Sequence, residues 1–508
     1  MKKLSFFAWF ILVCAGARAA STCHAVSVSG AGSKTGADWN NSFEFSSLSL
    51  VRGHIYYLAD GTYPAILINT ADSGTTTIEF RKAQSYDYGA GANCTSSIGA
   101  GWNTSTMGSS QANFQYVSSV PIINIGTDYI TLNGNGTSTA PGCGGAPGAT
   151  VTASPPTPSD CGIKVDNSTC TNASTSACNA PINIAAGYNH ETLEYIELRG
   201  NASEIPPADD NVSDETEVAT YGPNSGNHDQ TFTHIFGHDS QCVYIQYAVL
   251  NHNASYNYWW GTEVNGGTTC HGQYSYVYGS GMAGGENNGT ENHSIFRDIT
   301  GTGIFTFGIG GTADAWTYYD NVYWNSSTFV PGVLTLGTTT NGVVACLSGM
   351  VCNGFLFYQN TSINRGSNSG IDFSACTSGC SITMQNNLWY KSTQGTTTPA
   401  PPLFITSGGV SLTQDHNSFL YSGASCPSGT ANVCDNISTS PFTNWQNGVF
   451  TLTSDSSDWN NRLSLSSPYN TDLVGVTFTT DRGAYQYQAS GSTGSTLSVD
   501  SMNGTTVN

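Results

Sequence analysis

The phrase YDNVYWN at residues 319–325 recurs in varied form and is the strongest indication of how this chain folds. Each copy places an Asn or other polar residue three positions before an aliphatic or aromatic residue, inside a β-type run. The other copies are YIQYAVLN at 244–251, ENHSIFRD at 291–298, YQNTSIN at 358–364, QNNLWYK at 385–391 and DHNSFLY at 415–421. Aligning them sets Tyr247, Asn292, Asn321, Asn360, Asn386 and Asn417 in register, at separations of 26 to 45 residues.

Imperfect repeats of this length are typical of solenoids, whose coils bury their faces on one another. An asparagine repeated coil after coil can hydrogen-bond the asparagine above it and the nearby backbone, while the apolar residue fills the core. Ordinary turns between antiparallel strands are the alternative, but the copies lack the two-residue Asn-Gly spacing of hairpins. We therefore expect an all-β fold of stacked coils.

The first twenty residues predict export. Residues 1–20 contain Lys2 and Lys3, an apolar run at 4–13, and Ala17-Arg18-Ala19 as a cleavage site, which together indicate a signal peptide. The apolar run is too short to span a bilayer, so we expect a secreted, extracellular protein with no membrane span. Residues 21–487 are expected to form one solenoid domain with an N-terminal cap and a C-terminal closure at 441–487. The Ser/Thr/Gly-rich residues 488–508 are expected to be a flexible tail.

The cysteines agree with that compartment. Without Cys14 of the signal peptide, fourteen of the 15 cysteines remain, an even number that suits disulfides in an oxidising environment. No CxxC pair or HExxH motif indicates a zinc site. We expect long loops pinned by local disulfides, with the candidate pairs Cys143–Cys161, Cys170–Cys178, Cys242–Cys270, Cys346–Cys352, Cys376–Cys380 and Cys426–Cys434.

The charge balance limits the partners. The chain has 34 acidic and 14 basic residues, and removal of Lys2, Lys3 and Arg18 leaves 11 − 34 = −23. Nucleic-acid binding requires clustered Lys and Arg, so it is not expected. A polyanionic glycan also needs calcium or a local basic cluster to bridge it to such a chain. The sequence does not define an oligomeric state.

Two segments resemble a known group of proteins. RGHIYYLADGTYPAILIN at 52–69, followed by TTTIEFRKA at 75–83, resembles the opening coil of secreted right-handed parallel β-helix proteins of the pectate-lyase-like superfamily. SPYNTDLVGVTFTTDRGAYQY at 467–487 is similar to their closing signature. The resemblance implies a right-handed parallel β-helix solenoid over most of residues 50–487. It also implies an extracellular polysaccharide as partner, although this superfamily includes lyases, hydrolases and non-catalytic surface proteins.

Ionisable and aromatic side chains concentrate between residues 228 and 298, where six of the 10 histidines lie. A glycan groove needs aromatic faces to stack on sugars and acid–base groups to move protons. The candidate catalytic residues are His271, His252, Arg297, Glu263 and Asp298. The candidate substrate-binding residues are Trp259, Trp260, His238 and Tyr274. Calcium is the one cofactor considered, with Asp239 and Glu263 as candidate ligands.

Three functions follow from these residues. A polysaccharide lyase needs a cation or calcium to neutralise a uronate carboxylate and a base to remove the C5 proton. A glycoside hydrolase needs two carboxylates across the scissile bond, for which Asp239 with Glu263, or Glu263 with Asp298, are candidates. A non-catalytic carbohydrate-binding or adhesin-like surface solenoid is the alternative. An enzyme should gather His238, His252, Glu263, His271 and Arg297 around one groove, whereas a passive solenoid should scatter them.

Overall fold

A computed structural model describes most of the chain between residues 20 and 488. The described residues are 20–115, 121–138, 140–143, 161–169, 181–200, 216–220, 227–238, 243–246, 251–260, 273–277, 288–297, 303–307, 311–312, 314–324, 342–346, 350–363, 371–373, 379–390, 405–406, 409–420, 428–435, 437 and 439–488. The predicted signal peptide, apart from Ala20, and nearly all of the predicted tail lie outside this set. No helix among the described residues is long and apolar enough to cross a membrane.

Three long sheets make up the described structure. The first sheet contains β1 (Thr22–Ser27), β2 (Phe43–Glu44), β3 (His54–Leu58), β6 (Ile78–Lys82), β9 (Ile130–Asn133), β12 (Thr192–Glu194), β15 (Thr231–Thr233), β18 (Asn253–Ser255), β21 (Thr290–Asn292), β25 (Thr317–Tyr319), β29 (Phe355–Tyr358), β32 (Cys380–Gln385) and β35 (Val410–Asp415). The second contains β4 (Gly61–Tyr63), β7 (Ala112–Gln115), β10 (Ile163–Asp166), β13 (Ile196–Arg199), β16 (Phe236–His238), β19 (Tyr258–Trp260), β22 (Ile295–Arg297), β26 (Val322–Trp324), β30 (Thr361–Ile363), β33 (Leu388–Tyr390), β36 (Ser418–Leu420) and β37 (Val433–Asp435).

The third sheet contains β5 (Ile66–Ile68), β8 (Ile123–Ile125), β11 (Ile182–Ile184), β14 (Thr216–Thr220), β17 (Val243–Gln246), β20 (Gln273–Val277), β23 (Gly303–Phe307), β27 (Gly342–Cys346), β31 (Ile371–Phe373) and β34 (Ile405–Thr406). Two small sheets pair β24 (Gly311–Thr312) with β28 (Met350–Val351), and β38 (Phe442–Asn444) with β39 (Val449–Leu452). A single α-helical turn, α1 (Thr104–Met107), and 3₁₀ turns at Trp39–Asn41, Phe45–Ser47 and Trp445–Asn447 complete the described elements.

The chain visits the three sheets in rotation. β3, β4 and β5 form one coil, β6, β7 and β8 the next, and each strand pairs in parallel with its equivalent one coil later. The same rotation continues to β32, β33 and β34. This arrangement is a parallel β-helix, and it confirms the predicted fold class.

Apolar side chains of successive coils stack inside the β-helix. In the third sheet Ile68, Ile125 and Ile184 lie in register on consecutive coils and are fully buried. Because the coils repeat every ~4.8 Å, one branched side chain covers the next and no space remains for water. The interior at these positions is therefore an apolar stack.

A ladder of buried side chains ties the coils together at the bend before the second sheet. Asn321 Nδ2 donates to Asn360 Oδ1 at 3.2 Å, Asn360 Nδ2 to Asn387 Oδ1 at 3.1 Å, and Asn387 Nδ2 to Asn417 Oδ1 at 2.9 Å. Each Oδ1 also accepts the backbone N–H of the ladder residue one coil earlier. Each Nδ2 also donates to a backbone carbonyl of the preceding coil, as Asn360 does to Tyr318. The ladder thus satisfies buried backbone groups at a bend where the β-pairing is interrupted.

The predicted register of this ladder is correct at Asn321, Asn360 and Asn417 and wrong at two positions. Ser294 takes the place predicted for Asn292, since its N–H donates to Asn321 Oδ1 at 3.0 Å. Asn387 takes the place predicted for Asn386. Asn386 has φ 59°, a left-handed conformation that forms the bend itself. Tyr247 lies outside the described residues.

The disulfides match the prediction in part. Cys143–Cys161 forms as predicted, whereas Cys23–Cys94 links two cysteines for which no pair was predicted. Cys352 and Cys434 are disulfide-bonded. The prediction that Cys380 forms a disulfide is wrong. Cys380 carries a buried thiol, and its Sγ accepts the N–H of Cys352 at 3.1 Å. The pairs Cys170–Cys178 and Cys242–Cys270 lie outside the described residues.

Residues 439–487, here called the C-terminal cover, lie along the side of the β-helix. The Phe450 ring packs 5.1 Å from that of Trp324 in β26, and Phe442 lies 5.8 Å from Tyr390 in β33. The buried Arg482 donates to the carbonyl of Asn417 at 3.1 Å. The C-terminal cover therefore lies over the later strands of the second sheet, on their outer face.

Asn360→Ala should strongly destabilise the protein. The change removes the acceptor for the N–H of Asn321 and the donor for the carbonyl of Tyr318, and each buried group left without a partner costs about 1–3 kcal/mol. We expect a loss of about 2–5 kcal/mol in chemical denaturation followed by circular dichroism. Asn253→Ala, at an exposed position of β18, is the matched control and should change the stability little. Equal stability of the two variants would contradict the proposed role of the ladder.

Glu191→Gln should stabilise the protein at alkaline pH. Glu191 lies inside the β-helix, where it accepts a hydrogen bond from Gln230 at 3.1 Å, and burial raises the pKa of its carboxyl to about 8. Because the folded-state pKa exceeds the unfolded one, this carboxyl should cost stability progressively as pH rises from about 4.5 to 8. Melting temperatures across that range should fall less steeply for Glu191→Gln than for the native protein. Parallel curves would show that Glu191 ionises normally.

Candidate functional site on the outer face of the second sheet

Two rows of side chains point outward from the second sheet, because alternate residues of a strand face opposite sides. Strand pairing sets each outward residue in register with the outward residue of the next coil. Outer row 1 consists of Lys164, Glu197, Phe236, Tyr258, Ile295 and Val322. Outer row 2 consists of Asp166, Arg199, His238, Trp260, Arg297 and Trp324. The residues between these rows, such as Leu198 and Phe296, belong to the interior core.

Four ionisable groups form a compact cluster where the rows begin. Lys164 Nζ lies 3.2 Å from both Asp166 Oδ2 and Glu197 Oε1. Glu197 Oε1 also lies 3.1 Å from His238 Nε2, and Gln111 Nε2 donates to Glu197 Oε2 at 2.8 Å. The four ionisable groups come from three consecutive coils, and we call Lys164, Asp166, Glu197 and His238 the charged cluster.

The carboxylates of the charged cluster are held in the ionised form. Burial opposes ionisation of Glu197, but the hydrogen bond and charge of His238, the charge of Lys164 and the hydrogen bond of Gln111 outweigh it and lower the pKa to about 2. Burial likewise opposes ionisation of Asp166, yet hydrogen bonds from Ser168 and the charge of Lys164 hold its pKa below the usual value. Neither group can therefore donate a proton at neutral pH.

Further along outer row 2 an arginine is held between two tryptophans. The guanidinium carbon of Arg297 lies 4.1 Å from the ring centroid of Trp260 and 4.9 Å from that of Trp324. Stacking on aromatic faces suits the planar, weakly hydrated guanidinium and fixes its orientation. Trp260 is partly exposed, whereas Trp324 is buried beneath the C-terminal cover.

The outer face is bordered on two sides. The Cys143–Cys161 disulfide packs on Tyr258 and Phe236 of outer row 1, and Cys143 Sγ contacts the carbonyl of His234 at 2.8 Å. The C-terminal cover packs on Trp324. Between these two borders, Arg199 and Trp260 are the partly exposed members of outer row 2.

Three of the predicted site residues meet in outer row 2: His238, Trp260 and Arg297. Two others face the interior. Trp259 is fully buried in the core, and His252 is enclosed among rings that include Phe232 and Trp316, where burial lowers the pKa of its imidazole to about 4. His252 and Trp259 therefore do not border the outer face.

The remaining predicted site residues are not described. Asp239, Glu263, His271 and Asp298 lie outside the described residues, so their roles stay predictions. Tyr274 belongs to β20 of the third sheet, of which only the backbone is described.

Sequence reasoning missed Lys164, Asp166, Glu197 and Arg199. They precede the histidine-rich region in the chain, and only the stacking of coils brings them to His238, which lies 41 residues after Glu197. A signal was present, since the strands IKVD and IELR alternate apolar with charged residues. Such alternation indicates strands with one buried face and a charged outer face.

Comparisons with known proteins give only distant likenesses. No protein-family model and no curated protein matches the chain. Among solved structures, the chain is similar to the pectate lyase Pel9A, with 13% identity, TM-score 0.46 and coverage of 92% of this chain and 97% of that one. It also resembles the GH136 lacto-N-biosidase from Eubacterium ramulus, with 12% identity, TM-score 0.35 and coverage of 78% and 67%. A third similar structure is PfbA, a surface adhesin of Streptococcus pneumoniae, with 10% identity, TM-score 0.25 and coverage of 72% and 85%.

These likenesses concern architecture and carry no argument about chemistry. The observed strand pairing establishes the fold. The chain is a parallel β-helix. A β-helix does not define a biochemical function, which depends on the side chains that the chain itself carries.

Glu197→Gln should make the protein less sensitive to acid. The folded-state pKa of Glu197 lies below its unfolded value, so its stabilising contribution is present above pH ~4.5 and is lost as pH falls towards 2. That contribution amounts to about 3 kcal/mol at neutral pH. Denaturation curves at neutral pH should show Glu197→Gln to be less stable than the native protein, and the difference should shrink at pH 3. A constant difference between the two proteins would contradict this assignment.

Proposed function

We propose that the protein binds an acidic extracellular polysaccharide along outer row 2 and cleaves it by β-elimination, as a polysaccharide lyase. The observation that carries this proposal is the gathering of Lys164, Arg199 and Arg297 on one outer face of a chain whose net charge is −20. Basic residues are scarce here, so their concentration on neighbouring coils favours an anionic ligand.

The other described basic residues outside outer rows 1 and 2 have structural partners. Arg52 donates to backbone carbonyls such as that of Thr70 at 3.1 Å, and Lys82 pairs with Asp60 at 2.9 Å. Arg81 pairs with Glu79, Lys34 pairs with Glu44, and the buried Arg482 of the C-terminal cover donates to the carbonyl of Asn417. Of the bases in outer rows 1 and 2, Lys164 pairs with Asp166 and Glu197, and Arg199 lies 3.8 Å from Asp166, so the support for an anionic ligand is the concentration of basic groups on neighbouring coils.

The groups of outer row 2 suit the steps of an elimination. Arg297 is the proposed partner of a uronate carboxylate, since a guanidinium pairs with a carboxylate through two hydrogen bonds. His238 in its neutral form is the proposed base for the C5 proton, with Glu197 orienting its ring through Nε2. As the C4–O4 bond breaks, the leaving oxygen takes a proton from water. Trp260 offers an aromatic surface to a sugar ring.

Hydrolysis is less well supported on this face. A hydrolase needs one carboxylic acid that is protonated near neutral pH. Asp166 and Glu197, the described carboxyls of outer rows 1 and 2, have lowered pKa values instead.

A non-catalytic, polysaccharide-binding solenoid is the second candidate. The observation that favours it is that His238 is buried and that Lys164, His238 and Gln111 surround the Glu197 carboxylate. This arrangement also stabilises the stacked coils.

The deciding experiment incubates the purified protein with polyuronates and neutral polysaccharides, with and without calcium. Ultraviolet absorbance reports unsaturated uronic products, and a reducing-end assay reports every cut. A rise in both signals on a polyuronate supports the lyase, whereas reducing ends alone indicate a hydrolase. Binding without either signal supports the non-catalytic solenoid. Failure to bind or cleave any polyuronate overturns the proposal.

Arg297→Ala should lower kcat/KM on the best polyuronate by about a hundredfold, because removing one group that stabilises developing charge typically costs that much. Arg297→Lys keeps the charge but loses the planar stacking between Trp260 and Trp324, so it should recover only part of the activity. Lys34→Ala removes an exposed cation of the N-terminal segment and is the matched control, with unchanged activity expected. Full activity in a folded Arg297→Ala variant would remove Arg297 from the mechanism.

A further inference from the structure

A second cluster of ionisable groups lies at a different bend, just before the strands of the first sheet. One residue per coil adopts a left-handed conformation there, with φ between 56° and 66°, and these residues stack coil upon coil. They are Tyr129, His190, Asp229, Asn251, Asn288 and Ala315. His228, immediately before Asp229, adds a second imidazole.

The side chains of His190, His228 and Asp229 converge on one point. Asp229 Oδ2 lies 2.7 Å from His228 Nδ1 and 3.6 Å from His190 Nδ1. One nitrogen or oxygen of each residue falls within 4.8 Å of the other two. The three side chains are each about one-third exposed, so an ion from solvent can reach them.

Neighbouring groups hold the three side chains in place. Asn251 Nδ2 donates to Asp229 Oδ1 at 2.6 Å, which turns Oδ2 towards the imidazoles. The ring of Tyr129 stacks on that of His190 with centroids 4.3 Å apart. Asn189 Oδ1 accepts the N–H of His228 at 2.7 Å. Such outer contacts orient ligands before a metal arrives.

We propose that His190, His228 and Asp229 bind a divalent transition-metal ion of the zinc class. Two imidazole nitrogens and one carboxylate oxygen suit Zn²⁺, whereas Ca²⁺ and Mg²⁺ prefer oxygen ligands alone. The metal takes the place of the proton between His228 Nδ1 and Asp229 Oδ2, and the neutral His228 ring keeps its one proton on Nε2. Since three protein ligands leave a coordination position open, water completes the shell.

The ion joins the coil of β12 to that of β15. It therefore stabilises the folded chain, and the stabilisation rises with the concentration of free metal. Because an imidazole binds a metal only when it is unprotonated, the affinity falls as the pH is lowered. This site is separate from the charged cluster, and the proposal is independent of the polysaccharide chemistry.

The test uses chelator-treated protein, freed of chelator and titrated with ZnCl₂, CaCl₂ or MgCl₂ while melting temperature and calorimetric heat are recorded. Zn²⁺ should bind and raise the melting temperature of the native protein. Any signal that Ca²⁺ gives should be the same for the native protein and for the Asp229→Asn variant. Co²⁺ in place of Zn²⁺ should give visible absorption bands from imidazole and carboxylate ligation. Absence of Zn²⁺ binding to the native protein overturns the proposal.

His190→Asn and Asp229→Asn are the informative variants, because asparagine tolerates the left-handed backbone at both positions. Each should weaken Zn²⁺ binding by about tenfold or more. His234→Asn is the matched control: His234 is also left-handed, with φ 54°, but stacks between Tyr195 and Tyr256 at another bend. Unchanged Zn²⁺ affinity in folded His190→Asn and Asp229→Asn proteins would contradict the site.

Discussion

The hydrogen-bonded ladder that runs from Asn257 through Ser294 and Asn321 to Asn417 is the constraint on which the rest of the structure depends. Each rung satisfies backbone groups of two coils at a bend, so it fixes where the strands from β16 to β36 of the second sheet begin. A slip of one residue in any of these coils would turn its outward side chains into the core. The alignment of outer rows 1 and 2 from Phe236 and His238 onward is therefore a consequence of this ladder.

The outer face of the second sheet gathers basic groups, which are scarce in this chain. Lys164 and His238 come from different coils and meet on the carboxylate of Glu197, while Arg297 is oriented by the tryptophans of the coils before and after it. Burial would penalise each charge alone, and it is tolerated because each has a partner. The Cys143–Cys161 disulfide and the C-terminal cover then border this face.

The fold could be predicted because Asn321, Asn360 and Asn417 recur with apolar residues at fixed spacing. The register at Asn386 could not, since its left-handed bend is a backbone property and the adjacent Asn387 has the same side chain. Trp259 and Trp260 show a similar limit: with aromatic residues in succession, the pattern does not reveal which one faces inward. Lys164 and Glu197 were missed because loops of variable length separate residues that neighbouring coils bring together. Neither a His-x-x-x-His nor a Cys-x-x-Cys spacing indicated His190, His228 and Asp229, because consecutive coils supply them.

The most direct test of the account is a crystal structure of the protein bound to an acidic oligosaccharide. The account predicts a sugar chain across outer row 2, with a carboxylate paired to Arg297, a ring against Trp260 and the nearest C5 within reach of His238. An oligosaccharide seated on the first or third sheet, with outer row 2 uncontacted, would contradict it.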